Sequence, residues 1–79
     1  MKDGIVVLAE WDEEAGVWVA SSEDVCGLSV ESESLDLLQA KVLGALQDLV
    51  ELNGLRYDGP SIPVHIRTEF SASVSNPRH

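Results

Sequence analysis

Ile5-Val6-Val7-Leu8-Ala9-Glu10-Trp11-Asp12-Glu13-Glu14-Ala15-Gly16-Val17-Trp18-Val19-Ala20 is the stretch on which the fold turns. Its first five residues are apolar and rich in β-branched side chains, which suits a strand central in its sheet or covered on both faces. Trp11 to Gly16 is short, polar and closed by a glycine, and Val17-Trp18-Val19-Ala20 resumes the β-rich composition. Two such runs joined in this way predict a hairpin.

Downstream, Ser21-Ser22-Glu23-Asp24 makes a second polar connection. Cys26-Gly27-Leu28-Ser29-Val30-Glu31 then alternates, with Cys26, Leu28 and Val30 on one face and Ser29 and Glu31 on the other. A period of two predicts a half-buried third strand. From Leu35 to Leu52 the period lengthens. Leu35, Leu38, Val42, Ala45, Leu46, Leu49 and Leu52 recur at three- and four-residue steps and make one broad apolar helical stripe. Ser34 is placed to cap this helix, Asp36 complements the dipole in its first turn, and Asn53-Gly54 supplies a left-handed stop. Leu37, Leu43 and Val50 fall outside the stripe, where they either cover sheet edges or offer a second apolar surface to another chain. Ile62, Val64, Ile66 and Phe70 alternate with polar neighbours, and Pro63 makes this last strand begin late or lie at an edge.

The order is therefore β-β-β-α-β, an α+β domain in which one helix packs on one face of an antiparallel sheet. The other face, carrying Trp18, Ser29 and Glu31 or their neighbours, must be polar enough for water or be covered by a partner. Residues 1–70 form the single domain, and residues 71–79 a polar, proline-containing tail expected to fray.

With 79 residues the chain has room for one domain and a thin core. Small domains commonly add disulfides, a metal or a partner subunit. The single cysteine, Cys26, excludes an intrachain disulfide, and with two histidines it excludes a zinc-finger-type site. Oligomerisation, as a homodimer or tetramer, is the staple left open. The start of the chain has no signal-peptide architecture, and the apolar run Ile5 to Ala9 is too short to span a bilayer. Together with one unpaired thiol, this makes the expected setting cytoplasmic, away from membranes. Five Lys+Arg against 14 Asp+Glu give a net charge of −9. The five cations are scattered, so direct nucleic-acid binding is not expected. An acidic surface steers a basic partner, although acidity also serves plain solubility.

Catalytic groups are scarce. His65 and His79 are the available imidazoles; His79 ends the chain, and His65 falls on the polar face of a strand, where exposure is the ordinary outcome. No phosphate loop, H-E-x-x-H pattern or dinucleotide fingerprint occurs. Glu10, Glu31 and Glu69 lie on or beside strands and could converge on a divalent ion, as in a metal-dependent nuclease, but their spacing specifies nothing. The expectation is a protein with no catalytic residue, metal or cofactor, and not an enzyme. Cys26 has no basic neighbour in sequence to activate it and reads as a small buried hydrophobe. Trp18 suits the core or an oligomer interface, and Trp11, between Glu10 and Asp12, suits a partner contact. Glu10, Asp12, Glu13 and Glu14 are the densest charge in the chain. As a bare pattern they make a solvated hairpin tip. As a functional one, with Trp11, they make a docking face for a basic protein.

The hairpin Val6 to Ala20, the continuation Asp24-Val25-Cys26-Gly27-Leu28, the helix start Ser34-Leu35-Asp36-Leu37-Leu38 and its end Glu51-Leu52-Asn53-Gly54 together resemble short bacterial domains related to the HicB antitoxins. The resemblance covers about residues 5–54, with the last strand agreeing in order only. It implies a partial RNase H-like β-β-β-α-β fold and binding to a small basic RNA-cleaving toxin whose active site the antitoxin covers. It also implies dimers or tetramers. Two features depart from the family pattern. Cys26 stands where the family commonly has proline, and nothing after Phe70 could form the DNA-binding domain many antitoxins carry. The readings carried forward are an antitoxin-like protein-binding domain and, as the alternative, a self-associating scaffold or regulatory domain without a toxin.

Overall fold

Strand β1, Ile5–Asp12, turns through residues 13–16 into β2, Val17–Ser21, and the two pair antiparallel from Asp12↔Val17 to Leu8↔Ser21. The structure is a computed structural model that describes residues 4–79. The turn is held from within: the Asp12 carbonyl accepts from Gly16 N at 2.8 Å, and Asp12 Oδ1 accepts from Ala15 N at 3.2 Å. Gly16 sits at φ 68, in the left-handed region that a side chain would strain. β3, Ser29–Ser32, pairs antiparallel with β2. Helix α1, Leu35–Leu52, follows, and β4, Val64–Glu69, closes the order β3-β2-β1-β4.

The β-β-β-α-β layout with one helix on the sheet is as the sequence predicts. The sheet, however, is mixed, because β4 runs parallel to β1 from Ile5↔Val64 to Glu10↔Glu69. Two antiparallel steps make β3 parallel to β1. A helix-containing crossover then returns the chain in the same direction on the far side of β1.

The helix ends are built as expected. Ser34 Oγ accepts from Leu37 N at 3.1 Å, and Gly54 takes φ 64. Leu38, Val42 and Leu46 are buried against Ile5, Val7, Ala9 and Ala20, while Ala45 and Leu49 are partly buried against the same core. Leu35 and Leu52, predicted on the buried stripe, are exposed. They occupy the two ends of the helix. Of the three residues off the stripe, Leu37 and Leu43 are exposed and Val50 packs against the core.

The β2–β3 connection completes the sheet in an unusual way. β2 stops at Ser21, opposite Leu8, so among the described residues the edge of β1 at Val6 has no strand on that side. Asp24 Oδ2 accepts from Val6 N at 2.8 Å, and Ser22 Oγ donates to Val6 O at 2.6 Å. Two side chains thereby stand in for a strand backbone. Val25, the next residue, is driven fully into the core. Gly27, at φ 92, then turns the chain so that the inward alternation starts at Leu28 and continues through Val30 to Ser32. Cys26 is consequently exposed, not buried as the alternation suggested, and its carbonyl accepts from Asn53 Nδ2 at the helix end. Among the described residues no helix is long and apolar enough to cross a membrane.

Candidate functional site

The face of the sheet away from α1 carries no second packing layer among the described residues. Strand alternation puts Val6, Leu8, Glu10 and Asp12 of β1 there, with Val17 and Val19 of β2, Glu31 of β3, and His65, Arg67 and Glu69 of β4. The register aligns four of these in one row across the sheet: Glu69, Glu10, Val19 and Glu31. Val19 and Leu8 are half-buried and the three carboxylates are exposed. Glu10 and Glu69 are direct neighbours on adjacent strands. Like charges in that position oppose each other, with Arg67 on the same face two residues before Glu69. An open depression of about 510 Å³ lies beside it, lined in part by Leu8, Glu10, Glu23 and Arg67.

The hairpin tip continues this acidic surface. Asp12, Glu13 and Glu14 are all exposed in or beside the turn, although Asp12 spends both its carbonyl and its carboxylate on the turn itself. Trp11 does not join them. It pairs with Trp18 across β1 and β2 and points to the α1 side of the sheet, opposite to Glu10. There Trp11 and Trp18 meet edge to face with centroids 5.3 Å apart, and Phe70 packs on both at 6.4 and 6.3 Å. Trp18 accordingly lies on the helix side, where it packs against the core, and not on the open face. The five predicted contact residues thus divide. Glu10, Asp12, Glu13 and Glu14 form one acidic region, while Trp11 belongs to an aromatic cluster on the other side.

Glu31 and Glu69 entered the sequence reading as metal candidates with Glu10. In the structure Val19 separates Glu10 from Glu31, and among the described residues no group of three His, Cys, Asp or Glu side chains could hold a metal ion. Of the two apolar residues of this surface, Leu8 follows from strand parity with Glu10, and Val19 only from the hairpin register. Phe70 could not: its place beside the tryptophans depends on β4 lying parallel to β1.

No curated protein matches the chain at a significant level. Among solved structures it is similar to the crystal structure of hypothetical protein TTHA1013 from the extremely thermophilic bacterium Thermus thermophilus. The two are 40% identical with a TM-score of 0.70, over 92% of this chain and 99% of that one. The profile of the domain of unknown function DUF1902 matches residues 4–76, which is nearly the whole described chain, and the chain belongs to that family.

Proposed function

We propose that the chain is a non-catalytic protein-binding domain whose open sheet face docks a small basic protein, in the manner of a HicB-type antitoxin covering an RNA-cleaving toxin. The observation that carries this reading is the row Glu69–Glu10–Val19–Glu31, in which carboxylates flank an apolar centre on the face turned away from α1. Such a surface offers a basic partner charge pairing at the rim and apolar contact in the middle. The net charge of −9 adds long-range steering. Four of the five contact residues read from the sequence, Glu10, Asp12, Glu13 and Glu14, lie on this surface or at its end. The resemblance to HicB antitoxins supplies the class of partner, and a cytoplasmic setting goes with it.

The test is a pull-down from native extract at low salt, with wild type beside a double variant, Glu10→Lys with Glu69→Lys. Wild type is expected to retain a small basic protein that raised salt releases and that the double variant fails to capture. The purified partner should cleave RNA until one equivalent of this chain is added. Equal capture by both proteins, or recovery of the bait alone, removes the proposal. The alternative, a self-associating domain without a toxin, is favoured by a different observation: Leu35, Leu37 and Leu43 on α1, and Phe70 and Val74 after β4, are exposed.

A further inference from the structure

The last ten residues, 70–79, are all exposed, and the molecule measures 54 × 25 × 19 Å. Helix α1, with 18 residues, accounts for about half of that long axis at 1.5 Å per residue. The C-terminal arm leaves β4 beside the hairpin tip, where Phe70, Ser71, Ala72 and Ser73 line a hollow with Trp11 and Glu13. Among the described residues its only hydrogen bonds are local, from Arg78 N to Asn76 Oδ1 and from His79 N to Asn76 O. Yet the arm is patterned. Phe70-Ser71-Ala72-Ser73-Val74-Ser75 alternates apolar and polar strictly, and Asn76-Pro77 ends the pattern as a turn signal. Val74 is 92% exposed and Phe70 63%. Moreover, the family match runs to residue 76 and so takes the patterned part into the domain.

A complementary site exists on the same molecule. β4 is an edge strand, with no proline or bulge inside Val64–Glu69 to blunt it. The backbone of α1 lies nearest β3 and β2, and on its flank toward β4 the side chains of Val64 and Ile66 reach the core half-buried. On that flank is a notch of about 220 Å³ lined by Leu35, Leu38, Gln39, Ile66 and Thr68. The arm does not fold back onto its own β4, which ends at Glu69 and has only β1 as a neighbour in the sheet.

We propose that the arm is a fifth strand for a second copy of this chain, exchanged reciprocally about a two-fold axis at Phe70. With the two Phe70 residues opposite each other, residues 71–76 of one chain run antiparallel to residues 69–64 of the other. Each arm then covers the whole of its partner's β4. Antiparallel partners share a face, so Val74 falls opposite the second copy's Ile66, over the notch. Ala72 falls opposite Thr68, and Ser71, Ser73 and Ser75 meet Glu69, Arg67 and His65 on the open face. The charge is compatible. Of the five Lys+Arg and 14 Asp+Glu, the arm holds Arg78 and no carboxylate side chain, which leaves −10 on residues 1–69. The arm therefore adds no like charge to an acidic neighbour.

This exchange is independent of the docking of a basic protein, and salt separates the two. Salt weakens a basic partner's binding, whereas it tightens the association of two chains of like net charge. Sedimentation of the full chain, with no partner present, is expected to give a dimer that strengthens as salt rises. Val74→Asp should raise the dimer dissociation constant at least about a hundredfold, since the charge would be buried in both notches. Val74 is exposed in the single chain, so the variant should keep the far-UV spectrum of wild type diluted to its monomer. In a Cys26→Ser background, Val74→Cys with Ile66→Cys should oxidise to an interchain disulfide, whereas Val74→Cys with His65→Cys, on opposite faces, should not. A wild type that stays monomeric at high micromolar concentration overturns the proposal. So does a Val74→Asp protein that still dimerises, or equal cross-linking of the two cysteine pairs.

Discussion

Val6 and Val7 are the same side chain one residue apart, yet Val7 is fully buried and Val6 is 37% exposed. The comparison extends along β1: Ile5, Val7 and Ala9 go under the helix, while Val6, Leu8 and Glu10 face outward. A strand's parity, not its composition, decides which residues hold the fold and which are free for binding. On the covered side the apolar side chains meet Leu38, Val42 and Leu46. On the open side Val6 and Leu8 stand beside His65 and Arg67, and no second layer packs on them.

The largest effect that could break this contrast is a paired truncation. Val7→Ala removes two methyl groups from a fully buried position, with a cost of about 2–3 kcal/mol. Val6→Ala should cost less than about 1 kcal/mol. In a domain this small the first change alone removes a large share of the net stability. Urea unfolding of both variants would check it, and equal midpoints would mean that the open face is packed as tightly as the covered one.

A composition-based reading of β1 could not have settled this, since the run Ile5 to Ala9 is apolar at every position. What the sequence did carry were the elements whose signals are local. The hairpin came from β-branched runs around a glycine-closed loop, and α1 emerged with its bounds at Leu35 and Leu52 and its Ser34 cap. The direction of β4 was hidden because it follows from the crossover topology, not from any residue in the strand. Cys26 was misplaced for a backbone reason. Gly27, whose positive φ resets the alternation, lies between Cys26 and Leu28, and Val25 takes the core position instead. The candidate site was half-readable. Its acidic residues were singled out, but Glu10 and Trp11 were grouped although adjacent strand residues must face opposite ways. Glu31 and Glu69 were noticed for metal chemistry, and only the register places them in one row with Glu10.

The boundary between the two sides is held at Val6 by the loop in place of a strand. Asp24→Ala removes the acceptor 2.8 Å from Val6 N and should cost about 1–2 kcal/mol. Asp24→Asn, which keeps an acceptor oxygen, should cost less. Hydrogen exchange sharpens the test: the Val6 amide should lose protection in Asp24→Ala well before global unfolding accounts for it. Retained protection there would show that water or another group replaces the carboxylate, and that the loop is not what closes the sheet at this point.

The smallest expected effect has the opposite sign. Glu69→Gln removes one charge from the direct neighbour pair Glu10–Glu69 while keeping the side chain's size and exposure. Relief of that repulsion should stabilise the domain by about a few tenths of a kcal/mol at low salt, and the gain should vanish as screening increases. A gain of stability on removing a native charge would mean that the open face is not arranged for the stability of the isolated chain. The same substitution on a face that docks a basic protein should weaken that docking. Stability and binding would then move in opposite directions at one residue, as they cannot at Val7, where folding and function require the same buried methyl groups. If Glu69→Gln is instead neutral at every salt concentration, the two carboxylates are oriented apart by solvent. The row would then present three separate charges to a partner, with no strained pair for it to relieve.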